Sequence, residues 1–172
     1  MRNFTLFFFL ISLITSCNSS NNNNKVGSES EKLLSEINIK NLSDSISKST
    51  IKNLYLDSTG MKNSPIVVLA AKLFKEEYST YKSIRITYKN VSEKSIEAIR
   101  FEWYGENSFG EPADMGNPLN RGLGSGFSDE NLKPNSKTTN EWNILSRDGK
   151  KVLMARAYEV VFTDGTKWKL IK

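Results

Sequence analysis

Residues 84–105 read Ile-Arg-Ile-Thr-Tyr-Lys-Asn-Val-Ser-Glu-Lys-Ser-Ile-Glu-Ala-Ile-Arg-Phe-Glu-Trp-Tyr-Gly. Apolar side chains recur at every second position at Ile84, Ile86 and Tyr88, with polar side chains between them. This alternation is typical of a strand with one buried face. Residues 90–94 form a polar cluster that predicts a turn. The stretch therefore predicts two successive strands of a sheet.

The second of these strands changes phase near Ala98. It starts with Ile96 and Ala98 on one face, and the later apolar residues occupy a new phase: Ile99, Phe101 and Trp103. A single extra residue in one strand produces such a change, so we predict a β-bulge near Ala98. Arg100 and Glu102 are then expected to point outward.

Asp164-Gly165 predicts a hairpin turn near the C-terminus, and the flanking residues decide its register. A two-residue loop would pair apolar with polar side chains on both faces. A three-residue loop, residues 163–165 with Gly165 left-handed, gives one apolar face. Its pairs are Phe162 with Thr166, Val160 with Trp168, and Tyr158 with Leu170. We predict this register, which places Glu159, Val161, Lys167 and Lys169 on the other face, where the lysines protect a sheet edge.

The remaining pattern favours further short strands. Residues 138–145 carry Trp142 and Ile144 in one phase, between turns at residues 132–136 and 147–150. Residues 64–77 have two readings. Ser64 and Pro65 suit the start of a helix, yet the apolar residues also alternate as in a strand: Val67, Leu69, Ala71 and Leu73. Short strands separated by turns indicate a sandwich or barrel.

The segment Phe101-Glu102-Trp103-Tyr104-Gly105 resembles the F-x-L-Y-D core strand of small immunoglobulin-like modules in bacterial lipoproteins, the FxLYD-type domains. The proline turn at residues 132–136 is similar to one that precedes a later strand in those modules. The resemblance implies an all-β fold, an immunoglobulin-like antiparallel β-sandwich over residues 55–172. It also implies that residues 67–78 form the first strand.

The N-terminus has the pattern of a secreted precursor. Arg2 is followed by an apolar run at residues 4–14, which is too short to span a bilayer and fits a signal peptide over residues 1–16. The next residues, Ile14-Thr15-Ser16-Cys17, resemble the lipobox of bacterial lipoproteins. That resemblance implies cleavage before Cys17, the chain's one cysteine, and lipidation of this residue. The expected partner is then a membrane, bound through the N-terminal lipid.

Residues 17–54 are rich in asparagine and serine and offer little apolar surface for a core. Such composition predicts a disordered linker between the lipid and the folded domain. A lipidated cysteine on this linker would place the domain in the cell envelope, facing the periplasm or the cell surface.

The sequence contains few of the residues and motifs that are typical of catalytic sites. It contains no histidine, no P-loop and no dinucleotide-binding fingerprint. The lysines behind the formal charge of +5 are scattered, which argues against nucleic acid as a partner. We therefore expect no enzymatic activity and no cofactor.

The glycine-rich stretch at residues 105–131 is the candidate functional loop, since long connections often carry function. Tyr104 is out of phase with its strand and is expected to contact a ligand or partner. The loop adds Glu106, Asp114 and Asp129 as further contacts. Calcium binding by Asp114 and Asp129 is a weaker alternative, and an irregular solvated connection is the simplest reading.

The three tryptophans, Trp103, Trp142 and Trp168, could form a carbohydrate-stacking platform with Tyr104. They fall on the apolar phase of their strands, so core packing is favoured for them. The sequence thus predicts a membrane-anchored, non-catalytic interaction module that binds an envelope protein or polymer. The alternative is a domain that binds a glycan or calcium through residues 105–131.

Overall fold

The computed structural model describes residues 25–171 as a long helix, a short 3₁₀ turn and seven strands. The elements are α1 (Lys25–Leu56), the turn Thr59–Met61, β1 (Ile66–Lys75), β2 (Lys82–Asn90), β3 (Ile96–Glu106), β4 (Leu123–Ser128), β5 (Lys137–Ser146), β6 (Lys151–Phe162) and β7 (Lys167–Lys169). No helix within this described part is long and apolar enough to cross a membrane.

The described part of the chain divides into two units, residues 25–42 and residues 43–171. The described part of the first unit, from Lys25, is helical, and its large apolar side chains are exposed: Leu33, Leu34, Ile37, Ile39 and Leu42. This differs from the disordered linker predicted over residues 17–54. Residues 25–56 contain no proline and one glycine, so nothing breaks the local hydrogen bonding of a helix. The predicted signal peptide and Cys17 lie outside the described residues.

The second unit is an antiparallel β-sandwich. One sheet has the strand order β1-β2-β5, and the other has the order β4-β3-β6-β7. Every pairing is antiparallel. The predicted fold class is confirmed, and residues 66–75 form a strand rather than a helix.

The apolar side chains that alternate along residues 84–88 lie in the core. The side chains of Ile84, Ile86 and Tyr88 are fully buried between the sheets. The pairing of β3 with β6 shifts register between Ile96 and Ala98, which confirms the predicted bulge. These residues pack into one cluster with members of both sheets.

The C-terminal hairpin has the predicted three-residue loop. The backbone N–H of Phe162 donates to the carbonyl of Thr166 at 2.9 Å, and Val160 pairs with Trp168. Gly165 has φ +82°, a conformation that favours glycine because it has no Cβ. The N–H of Leu170 donates to the Tyr158 carbonyl at 2.9 Å, which completes the apolar face.

The glycine-rich stretch is not an irregular connection throughout, because residues 123–128 form β4 beside β3. The alternating glycines of β4 make room for indoles. A Cβ at Gly124 would overlap Trp103, and a Cβ at Gly126 would lie 2.6 Å from Cε2 of Trp142. The Trp103 indole N–H donates to the Met115 carbonyl at 2.9 Å. Sequence patterns assign glycine to loops, whereas here its missing side chain lets two tryptophans bridge the sheets.

We expect Gly124→Ala to destabilise the sandwich by about 2 kcal/mol, because the added methyl group overpacks the site of Trp103. Ser125→Ala is the matched control, since Ser125 is exposed on the same strand. Urea denaturation followed by tryptophan fluorescence measures both free energies of unfolding. Equal midpoints for the two variants would contradict this packing.

Candidate functional site

Tyr104, the predicted ligand contact, is buried, with 1% of its surface exposed, so its side chain offers almost no accessible surface in this structure. The backbone of Gly122 lies against its ring. Burial raises the pKa of the Tyr104 hydroxyl, and the nearby Glu106 carboxylate raises it further. The connection that follows β3 therefore covers the outer face of the strand at this position. The alternation of residues along a strand does not predict such a cover.

Glu102 also departs from the prediction, because it is buried rather than directed into solvent. Its Oε1 atom accepts a hydrogen bond from Nε of Arg156 at 2.8 Å. The same guanidinium donates from Nη1 to the Asp57 carbonyl at 2.5 Å and lies over the Tyr55 ring, 5.8 Å from its centroid. A buried charge requires a partner of opposite sign. Arg156 thus joins β3 to the segment after α1.

Glu106 is held in a second ion pair on the same face. Its Oε1 atom lies 2.5 Å from Nζ of Lys52 in α1, and its Oε2 atom lies 3.6 Å from Nζ of Lys151. The carboxylate is buried. Glu106 therefore has a structural role, and its predicted role in ligand contact has no exposed surface to support it.

The structure does not bring Asp114 and Asp129 together. Asp114 precedes β4 and donates its backbone N–H to Oδ1 of Asp148 at 2.9 Å, while Asp129 is exposed beyond the other end of β4. Met115, the residue after Asp114, lies against Gly124 in the first half of β4, whereas Asp129 follows the last residue of that strand. No group of three metal-ligating side chains occurs within residues 25–171. The calcium alternative therefore lacks a shared site.

The tryptophans differ in burial. Trp103 is fully buried and lies 5.7 Å from Trp142 between ring centroids, as expected for core packing. Trp142 and Trp168 are partly buried against the core. Trp168 also lines an open groove. No shared aromatic platform with Tyr104 is present, because that ring is buried.

The open groove that Trp168 lines is the best candidate site. We call it the hairpin groove, and its volume is about 620 Å³. Its walls come from three segments: residues 63–65 before β1, residues 91–94 between β2 and β3, and the β6–β7 hairpin with Phe162 and residues 166–168. This volume lies within the range of small-molecule and peptide sites, roughly 300 to 1,000 Å³.

Charges at the hairpin groove are fixed by an ion pair. The Lys94 ammonium donates to Oδ2 of Asp164 at 2.7 Å and to Oγ1 of Thr166 at 3.1 Å. These hydrogen bonds hold the pKa of the Asp164 carboxyl well below its usual range, so it stays ionised at neutral pH. Lys94 also lies over the Phe162 ring, 5.5 Å from the centroid. The groove thus has an apolar wall beside a fixed cation.

The hairpin groove lies at the end of the sandwich remote from Lys52 and Glu106. Ile66 of β1 pairs with Asn90, the last residue of β2, and both adjoin the groove segments. Glu106 ends β3 at the opposite end, where it pairs with Lys151.

Sequence reasoning missed the groove because it joins three segments distant along the chain. One signal was present, since the predicted turn at residues 90–94 and the predicted hairpin both carried Lys and apolar residues. Their proximity depends on the sheet order, which the strand patterns alone do not specify.

Comparisons with known proteins identify no family. No protein-family model matches the chain, and no curated protein matches it. A hypothetical protein from Peptoclostridium difficile 630 has a similar solved structure, with a TM-score of 0.47 and 10% identity over 63% of this chain and 87% of that chain. A second similar structure, a Northeast Structural Genomics Consortium target, has a TM-score of 0.31 and 15% identity over 64% of this chain and 84% of the other.

The Glu102–Arg156 pair gives a stability prediction. Arg156→Met should cost about 3 to 5 kcal/mol, because it removes the guanidinium that neutralises a buried carboxylate. The double variant Glu102→Gln with Arg156→Met should cost less than the sum of the single changes, since no buried charge remains. A double-mutant cycle from urea denaturation measures this coupling. Strict additivity would show that the two side chains do not stabilise each other.

Proposed function

We propose that this protein is a lipid-anchored, non-catalytic binding module of the bacterial cell envelope, facing the periplasm or the cell surface. The hairpin groove is the observation that carries the binding role. It is open, and it combines apolar and charged side chains. Such a combination of side chains suits the binding of a partner better than a purely structural role.

The sequence around Cys17 supports the anchor. A charged start, an apolar run of signal-peptide length and the lipobox-like Ile14-Thr15-Ser16-Cys17 follow one another without interruption. Several acyl chains on one cysteine hold a protein at a bilayer far more firmly than a single chain does.

The two serine hydroxyls in the groove are consistent with a non-catalytic role. Ser64 Oγ donates to the Ile66 carbonyl at 2.8 Å, and Ser92 Oγ donates to Oδ1 of Asn90 at 2.7 Å. Both hydroxyls therefore stabilise turns. Nucleophilic serines need an adjacent general base, and neither serine has one among these partners. Recognition of an envelope protein or polymer suits the groove better than chemistry does.

The anchor is tested by the mass and location of the protein in its host. We expect the wild-type protein in the membrane fraction, cleaved before Cys17 and heavier than its polypeptide by the mass of the acyl groups. Cys17→Ala should be neither acylated nor retained by membranes. An unmodified Cys17 in the wild-type protein would overturn the anchor and leave the binding role of the groove to be judged separately.

The binding role is tested by photo-crosslinking in intact cells. A photoreactive residue at Val91, which is 46% exposed in the groove, should give a discrete adduct. The adduct should decrease at least about fivefold with Trp168→Ala, because a few aromatic side chains that become fully desolvated on binding supply most of an interface's binding energy. The same probe at Leu145, on β5 outside the groove and 56% exposed, is the control. Equal adducts at both positions, or no effect of Trp168→Ala, would contradict the assignment.

A further inference from the structure

The outer edge of β7 borders the hairpin groove and is unpaired. β7 is the last strand in the order β4-β3-β6-β7. Thr166 and Leu170 use backbone groups to bond β6, and Trp168 lies opposite Val160. Since backbone groups alternate in direction along an antiparallel strand, those of Lys167 and Lys169 point away from β6. Within the described residues, no hydrogen bond satisfies these outward groups.

An unpaired edge beside a groove is a template for strand addition. A peptide in extended conformation can hydrogen-bond the free backbone groups while alternate side chains enter neighbouring pockets. Lys167 and Trp168 both line the hairpin groove, and Pro65 and Val91 lie across from them. A strand added to β7 would therefore direct every second side chain toward Trp168 and the apolar wall.

Charge on the same edge favours an acidic partner. The side chains of Lys167 and Lys169 are exposed on the face opposite Trp168. Glu159, which pairs with Lys169 across the ladder, accepts a hydrogen bond from Arg100 at 2.9 Å. Asp164 is similarly occupied by Lys94. The two lysines of β7 thus remain in excess along the edge.

We propose that the hairpin groove binds an extended acidic polypeptide segment by β-strand addition to Lys167–Lys169. Apolar residues of the segment contact Trp168, and its alternate acidic residues face Lys167 and Lys169. This inference rests on the binding role proposed above and specifies its partner as a polypeptide. It does not depend on lipidation of Cys17.

The test uses the full chain in detergent, isolated from membranes or, if the anchor fails, from the soluble fraction. The probe is the fluorescein-labelled peptide Gly-Val-Glu-Val-Glu-Val-Glu-Val-Gly, and the control peptide has lysine in place of each glutamate. Fluorescence anisotropy should show saturable binding of the acidic peptide and much weaker binding of the basic one. Backbone amide NMR signals of Lys167 and Lys169 should shift on binding, as expected for new hydrogen bonds.

Comparison of Lys167→Pro with Lys167→Gln separates the contribution of the backbone edge from that of the lysine charge. Proline is tolerated on an edge strand where its N–H would face outward, so the β6–β7 ladder should survive, as an unchanged melting temperature would verify. Lys167→Pro removes both the outward N–H and the charge, and should weaken binding of the acidic peptide about tenfold. Lys167→Gln keeps the N–H and removes the charge, and should weaken binding only about two- to threefold.

Four results would overturn the proposal. The first is no binding of the acidic peptide at millimolar concentration, and the second is equal affinity for the Lys167→Pro and wild-type proteins. The third is self-association that Lys167→Pro abolishes, which would assign the edge to a second copy of this chain. A glycan that shifts Trp168 but not the Lys167 and Lys169 amides would also reject strand addition, while supporting the groove as a binding site.

Discussion

The packing of two indoles against a glycine strand is the constraint on which the rest of the sandwich depends. Trp103 occupies the space left by the missing side chain of Gly124, and Trp142 occupies that of Gly126. The ring centroids of Phe101 in β3 and Trp142 in β5 lie 5.5 Å apart, so aromatic rings connect the two sheets. With one cysteine in the chain, no internal disulfide can assist. The fold is therefore held by burial, and its centre tolerates little change in volume.

Buried charges organise the outer face of the four-stranded sheet. Arg156 and Glu102 form a desolvated pair, and Lys52 reaches Glu106 near the end of β3. Such pairs contribute less to net stability than to a defined arrangement of the elements they join. They hold the last turns of α1 and the segment after it against this face. The hairpin groove lies outside this arrangement and keeps its backbone edge free.

The strands and their registers could be predicted because apolar and polar residues alternate along a half-buried strand, and this alternation is visible in the sequence. Examples are the buried side chains of Ile84 and Ile86 and the loop of the hairpin at Gly165. The bulge at Ala98 was predicted from a change in the phase of the apolar residues. The candidate site could not be predicted in this way. Tyr104 is covered by Gly122, eighteen positions later by residue number, and the groove needs three separate segments. β4 was missed because glycine, which usually disfavours strands, here serves packing.

Amide hydrogen exchange of the free protein, read by NMR, tests most directly whether a rigid core carries an open edge. We predict the slowest exchange at Phe101 and Trp103, and protection at Trp168 and Leu170 at least about a hundredfold above that at Lys167 and Lys169. Equal protection along residues 167–170 would contradict the account, because it would mean that the outer edge of β7 is already paired or that the hairpin register is different.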